Sequence, residues 1–277
     1  MKFKPINWII CAISIILIIS ILNTIDTSNM NAFTNSNGIE VNFLDVGQSD
    51  CTLIKSNDKN YMIDSGREEY SDKIINYTQL SRVKKIDEFI LTHYHDDHYG
   101  GLEELLKNNK IKKILLPDYD SKEKNKVLSI IKKYNVEIKF IKRGWKEKSK
   151  KIYLEAIGPL KKYDNENDNS IVLYGKIDSV RYIFSGDCEK RAEKDMINNK
   201  VLKKCDILKV PHHGLNTSTT EEFLKITKPK IAIINCDGIY TPQNKVIDRL
   251  KNKGVNIIQT SECGDIVIKN RKIKFIK

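Results

Sequence analysis

The stretch Thr92-His93-Tyr94-His95-Asp96-Asp97-His98-Tyr99-Gly100-Gly101 constrains this chain more than any other. The 277 residues contain five histidines. Three of them, His93, His95 and His98, lie in this stretch, and the other two are the adjacent His212 and His213. A lone histidine has many uses, but five confined to two clusters point to metal ligation, because imidazole is the commonest side-chain ligand. His-x-His-x-Asp-His offers three nitrogens and a carboxylate, a set suited to zinc, manganese or iron. The run before it, Glu88-Phe89-Ile90-Leu91-Thr92, reads as a buried strand, and Leu102, Leu105 and Leu106 follow with helical spacing. The cluster therefore sits on a loop between a strand and a helix, where Gly100-Gly101 allow a tight turn or a close backbone approach. On an extended segment His93 and His95 share one side, while Asp97 and His98 can turn toward a second position. That arrangement suits two metal ions better than one. A surface histidine cluster without metal is the competing reading.

Other chemistry-bearing residues also stand where strands end. Asp187 follows Phe184-Ser185-Gly186. A carboxylate there can bridge two metals, one on each oxygen, or cap the helix ahead of Glu189. The histidines favour the ligand reading. His212 and His213 follow an apolar strand, so either can complete a metal's ligands. Asp64, after Tyr61-Met62-Ile63, reads as an acceptor that orients a ligand histidine or as an Asx turn.

The length allows one large domain or two small ones. The formal charge is +12, from 48 Lys and Arg against 36 Asp and Glu. This charge reads either as attraction to polyanions or as a lysine-rich composition without a dense basic patch. The run from Lys142 to Lys148 comes nearest to such a patch. Trp145 within it could stack on a base, although a solvated loop is the simpler expectation. Six cysteines form no CxxC pair and no disulfide framework. Cys188, beside Asp187, is the one nearest the proposed site.

Lys2 and Lys4 precede an apolar run from Trp8 to Leu22, which reads as a signal anchor or a signal peptide over residues 1–25. Residues 26–38 read as a flexible linker. Either reading puts the remainder, 39–277, outside the cytoplasm, tethered to the membrane or secreted. That domain alternates strands and helices. Helices are expected over 71–80, 121–134 and 189–199, with strands including 113–117, 152–157 and 181–184. Two such halves predict an α/β (α+β) fold of two sheets packed face to face with helices outside.

With these residues in view, the chain resembles the metallo-β-lactamase superfamily. Within it, the chain is similar to the hydrolase domain of ComEC-type competence (DNA-uptake) proteins and to related phosphorylcholine esterases. The matching segments are Phe43–Asp50, Ile63–Gly66, Thr92–Gly101, Asn169–Leu173, Phe184–Asp187, Leu208–Gly214 and Gly264–Ile266. The resemblance spans about residues 39–277 and implies an αββα sandwich with two divalent ions, Zn2+ or Mn2+, at the sheet edge. It implies that His93 and His95 hold one metal, that Asp97, His98 and His213 hold the other, and that Asp187 bridges them. Asp97 and His212 are the candidate catalytic residues, with His212 contacting the scissile phosphate or protonating the leaving group. Asp64, Asn169, Ser170 and Thr241 are candidate supporting or substrate residues.

Two positions depart from the family pattern. No histidine lies between His98 and Asp187, where many members have one, and Asn169 is expected near that position. Thr241 stands where the subgroup usually has the histidine of a Tyr-Gly-His-Pro motif. The expected function is an exported dinuclear phosphodiesterase acting on DNA, with a DNA-uptake channel as a candidate partner. The alternatives are a small-molecule or envelope phosphodiesterase and a non-catalytic DNA-binding module, the latter favoured by the charge and by Thr241.

Overall fold

The computed structural model describes residues 38–108 and 110–277. The expected anchor segment and nearly all of the linker lie outside these residues. Among the described residues no helix is long and apolar enough to cross a membrane.

The chain lays down one sheet, then the other, and returns at the end to the first. The first group comprises β1 (Glu40–Phe43), β2 (Thr52–Lys55), β3 (Tyr61–Ile63), β4 (Glu88–Ile90), β5 (Lys113–Pro117) and β6 (Glu137–Ile141). The second comprises β7 (Lys146–Ser149), β8 (Ile152–Gly158), β9 (Val172–Ile177), β10 (Val180–Phe184), β11 (Ile207–Lys209), β12 (Ile231–Ile234) and β13 (Asn256–Gln259). A hairpin of β14 (Asp265–Lys269) and β15 (Lys272–Ile276) then pairs antiparallel with β1. The sheet orders are β15-β14-β1-β2-β3-β4-β5-β6 and β13-β12-β11-β10-β9-β8-β7.

Alternation along the strands builds three apolar layers. Tyr61, Ile63 and Ile90 face the inter-sheet core with Tyr182, Phe184 and Ile207. Their neighbours Met62 and Phe89 face the other way, against Ile74 of α1 (Ser71–Leu80), Leu105 of α3 (Leu102–Lys107) and Ile131 of α4 (Lys122–Ile131). The short helix α2 (Asp96–Tyr99) carries the end of the histidine cluster. Across the second sheet, Ile183 and Leu208 meet α5 (Lys190–Asn198), α6 (Glu221–Thr227) and α7 (Asn244–Asn252). Each fully buried aliphatic or aromatic side chain contributes roughly 1.5–3 kcal/mol, so both faces of each sheet bind the layers together. The result is the four-layer arrangement of helix, sheet, sheet and helix that strand-and-helix alternation predicts.

One expectation holds only in part. The run from Lys142 to Lys148 is a solvated turn only over its first three residues, Lys142, Arg143 and Gly144. Lys146–Ser149 forms the edge strand β7, paired with β8. Trp145 is half-buried, packed against the inter-sheet core. A strand reading Lys-Glu-Lys-Ser carries no apolar alternation, as suits a charged sheet edge. The other boundaries move by a few residues. Ser121, for example, caps α4 by accepting a hydrogen bond from Lys124 N at 3.0 Å.

Gly100 and Gly101 have ordinary negative φ, −55° and −77°. Their role is close approach. A Cβ on Gly101 would lie 2.4 Å from the Ser65 carbonyl oxygen, and one on Gly100 2.5 Å from Glu68 N. The stretch carrying His98 is thereby seated against the Asp64-Ser65-Gly66 turn. Gly101→Ala is expected to lower stability by about 1–3 kcal/mol through overpacking, with no offsetting gain in helix propensity because Gly101 is the N-cap of α3, where alanine is disfavoured. Urea denaturation measures this, and an unchanged or raised midpoint would show that the two segments are not tightly apposed.

Candidate metal centre

The site lies where β3, β4, β10 and β11 end, at one edge of the sandwich. Each strand hands its functional residue to a sharp turn. Asp64, His212 and His213 have positive φ of 59°, 50° and 52°. Such conformations cost on the order of 1–3 kcal/mol each for non-glycine residues and persist only when the surroundings hold them. Here backbone bonds do so: Asp64 N donates to Ile90 O at 3.0 Å and His212 N to Gly186 O at 3.2 Å.

Asp97, His98, Asp187 and His213 offer ligand atoms that all lie within 4.8 Å of one another. His98 Nε2 is 3.3 Å from Asp187 Oδ2, and His213 Nε2 is 3.5 Å from the same oxygen and 3.4 Å from Asp97 Oδ2. The His93 ring centre is 4.1 Å from that of His98 and 4.6 Å from that of His95. Each inner histidine is oriented from behind. Asp64 Oδ2 lies 2.7 Å from His98 Nδ1, and the same carboxylate accepts from Thr92 N and Thr92 Oγ1, both at 2.8 Å. His213 Nδ1 lies 3.1 Å from the Asn235 carbonyl, so as the neutral ring it donates there and frees Nε2 for the cluster.

The chemistry of this donor set fits divalent cations. His93 Nε2, His98 Nε2, His213 Nε2 and Asp187 Oδ1 are buried polar atoms without a hydrogen-bond partner. Unsatisfied buried groups are costly, and three of these, on His98, His213 and Asp187, converge and call for a shared partner, with His93 beside them. The charges agree. Burial opposes protonation of His98, yet Asp187, Asp64 and Asp97 hold its proton well above the ordinary imidazole value. Burial also opposes protonation of His213, but Asp187 and Asp50 raise its pKa to about 9. Burial favours protonation of Asp187, yet His98 and His213 hold its carboxyl well below the usual range. His93 moves the other way: burial and the neighbouring His98 keep it neutral, the state that binds a metal.

The remaining sequence candidates fall around this centre. His212 is half-buried, with Nδ1 2.9 Å from Thr217 Oγ1 and 3.1 Å from Glu189 Oε1, and with Nε2 3.8 Å from Asp187. Ser170 Oγ accepts from Asp187 N at 3.1 Å. The Asn169 amide is engaged by its own loop, accepting from Tyr163 N and donating to the Tyr163 and Asn165 carbonyls. Thr241 is buried and donates to Asp237 Oδ1, which also accepts from the amides of residues 239–241. Cys188 is a buried member of the outer apolar layer of the second sheet.

Residues not singled out from the sequence support the centre as well. Lys209 Nζ lies 2.6 Å from Asp50 Oδ2, both side chains almost fully buried, and Asp50 Oδ1 is 3.5 Å from His213 Nδ1. A lysine flanked by Ile207, Leu208 and Val210 was the available signal. Its partner lies 159 residues earlier, beyond the reach of local pattern.

Comparison with known proteins places the chain in a family. The model of the metallo-beta-lactamase superfamily matches residues 44–238. ComE operon protein 3 of Bacillus subtilis is 30% identical over 251 residues, covering 82% of this chain and 32% of that protein. Recombination protein 2 of Haemophilus influenzae is 27% identical over 239 residues, covering 82% and 28%. The chain thus spans about a third of the length of these curated relatives. The metallo-beta-lactamase fold protein YhfI of Bacillus subtilis superposes with a TM-score of 0.52 at 13% identity, over 84% of this chain and 100% of that one.

The metal-free centre holds a proton on His213 up to about pH 9. That proton stabilises the metal-free fold fully below the ordinary value of 6.5, and the contribution is lost as pH rises through about 9. Cation affinity is therefore expected to rise between pH 6.5 and 9, by about tenfold per pH unit for each displaced proton. Calorimetry in buffers of different ionisation enthalpy reads the release, and a pH-independent affinity would contradict it. Lys209→Met, which leaves Asp50 charged and buried, is expected to cost about 3–5 kcal/mol. Equilibrium unfolding tests this, and a loss under 1 kcal/mol would show the pair to be dispensable.

Proposed function

Since the chain belongs to the metallo-beta-lactamase superfamily, we propose that it is a metal-dependent phosphodiesterase that cleaves DNA, exported and tethered by its N-terminal segment. The observation that carries the reading is the convergence of His98, His213, Asp97 and Asp187, with His93 and His95 alongside and His212 at the rim. His93 and His95 would hold one divalent ion, and Asp97, His98 and His213 a second, with Asp187 shared between them. Zinc and manganese both suit this nitrogen and carboxylate set.

When bound, such cations lower the pKa of water and neutralise charge developing on phosphoryl oxygens. The chain's own groups do the rest. Asp64 and the Asn235 carbonyl orient His98 and His213 through their Nδ1 atoms. Glu189 and Thr217 face Nδ1 of His212. That contact holds the ring with Nε2 3.8 Å from Asp187, which makes His212 the candidate to pass a proton to the departing oxygen. The net charge of +12 attracts a polyanion. Similarity to ComEC-type competence proteins supports nucleic acid as the polymer and a DNA-uptake channel as a partner.

The test is hydrolysis of single-stranded DNA and of bis-p-nitrophenyl phosphate by the full chain, with zinc and manganese supplied separately. Asp187→Ala and His95→Ala are expected to lose at least ~100-fold in rate, since outer partners of metal ligands alone carry 10–100-fold. Cleavage of the small diester without DNA would assign a small-molecule or envelope substrate. Salt-dependent DNA binding without turnover on either would assign a binding module.

A further inference from the structure

A cavity of about 280 Å³ opens beside the metal centre, between the ends of β5, β6 and β8. Its floor is apolar and buried: Pro117, Ile141 and Ile171. Tyr119, Pro159 and Leu160 form half-buried walls. Its rim carries the exposed cations Lys142, Arg143, Lys161 and Lys162, with one exposed acid, Asp118. Lys161 is paired with Asp195 at 2.7 Å.

This pocket is joined to the metal centre by backbone. Ile171 N donates to Thr92 O at 2.8 Å, immediately before His93. The Tyr119 hydroxyl accepts from Tyr94 N at 3.4 Å, between His93 and His95. The next residue after Asn169, Ser170, bonds Asp187 N. Ile171 of the floor is therefore one hydrogen bond from the residue that precedes His93, and Tyr119 of the wall one from the residue that follows it. Tyr119 is also held rigidly. Its hydroxyl donates to Glu166 Oε1 at 3.2 Å, and its ring meets Tyr94 edge-on with centroids 5.1 Å apart.

We propose that this cavity is a nucleotide subsite: it takes one base of a single-stranded nucleic acid against Tyr119 and the apolar floor, while Lys142, Arg143 and Lys162 engage the adjacent phosphates. Each part of the ligand has a matching part of the pocket. A planar base seeks an aromatic face and an apolar, dry floor, and stacking of this kind tolerates any base. A phosphate chain seeks cations, and these stand only at the rim. A phosphate alone would have no use for the apolar floor, and an uncharged apolar ligand would have none for the cations. At about 280 Å³ the cavity lies just under the ~300–1,000 Å³ range of ligand pockets, which suits a single base rather than a larger ligand. The strand then continues toward the metal centre, which makes an oligonucleotide the preferred substrate over a minimal diester. This last point rests on the phosphodiesterase reading, whereas binding in the pocket does not.

The test separates the two. The full chain, metal-free, is titrated with a fluorescein-labelled oligothymidylate and followed by anisotropy across a salt series. The double variant Lys142→Glu with Arg143→Glu is expected to weaken binding at least tenfold and to flatten the salt dependence by about 1.4 log units per log unit, 0.7 for each phosphate no longer neutralised. Tyr119→Leu is expected to weaken it about tenfold and Tyr119→Trp to restore it. The double variant, loaded with metal, should hydrolyse bis-p-nitrophenyl phosphate as the parent does. Unchanged oligonucleotide binding in the double variant overturns the subsite. Equal losses of oligothymidylate and of base-free polyphosphate binding in Tyr119→Leu overturn the base-stacking assignment. Pocket-dependent binding without DNA cleavage would sink the nuclease reading alone and leave the subsite standing.

Discussion

Four charged or chargeable groups with almost no exposure, Asp187, His98, His213 and Asp50, meet at one edge of the sandwich, and the rest of the edge is arranged around them. Buried charge is tolerated only when compensated. Compensation here comes from several directions: protons on two histidines, Asp64 behind His98, and Lys209 against Asp50. The compensating groups come from both sheets. Asp50 and Asp64 belong to the first, and Lys209, Asp187 and His213 to the second. The electrostatic requirement therefore fixes how the two sheets register at this edge, and apolar packing between Phe43 and Phe184, with ring centres 6.1 Å apart, holds the interior to the same register.

The same requirement explains why the backbone bends so sharply here. Turns at Asp64 and at His212-His213 use left-handed conformations that ordinary residues avoid. Straighter turns would carry the side chains past one another. The strand-end bonds to Ile90 and Gly186 hold these turns in place. The close approach of Gly101 to Ser65 does the same for the helix that follows the histidine cluster.

Much of this was legible from residue order alone. The helix over 71–80 and the strand over 113–117 appear with their expected bounds, because their apolar spacing is regular and their ends are marked. The two histidine groups stood out because the chain has no other histidine. What escaped was set by tertiary structure. The edge strand β7 is charged and reads as a loop. The Lys209–Asp50 pair joins residues far apart in sequence. The cavity beside the centre is assembled from four separate segments, around 118, 142, 160 and 170, and only the last carries a motif. Asn169 and Thr241 were noticed for the family positions they occupy, and each turns out to hydrogen-bond within its own loop.

The returning hairpin has a consequence for the order in which the molecule can assemble. Glu40 pairs with Lys269 across 229 positions, both in the strand ladder and through their side chains at 2.9 Å. During synthesis, the second sheet has all its strands before β1 has its outer neighbour. Until the final hairpin emerges, β1 presents a bare row of amides and carbonyls, an adhesive edge for another chain. Contacts closed over such separations form slowly. The nascent protein therefore carries its histidine cluster and both sheets for some time before its first strand is protected, and a ribosome stalled near residue 260 would hold a species prone to pair with its neighbours.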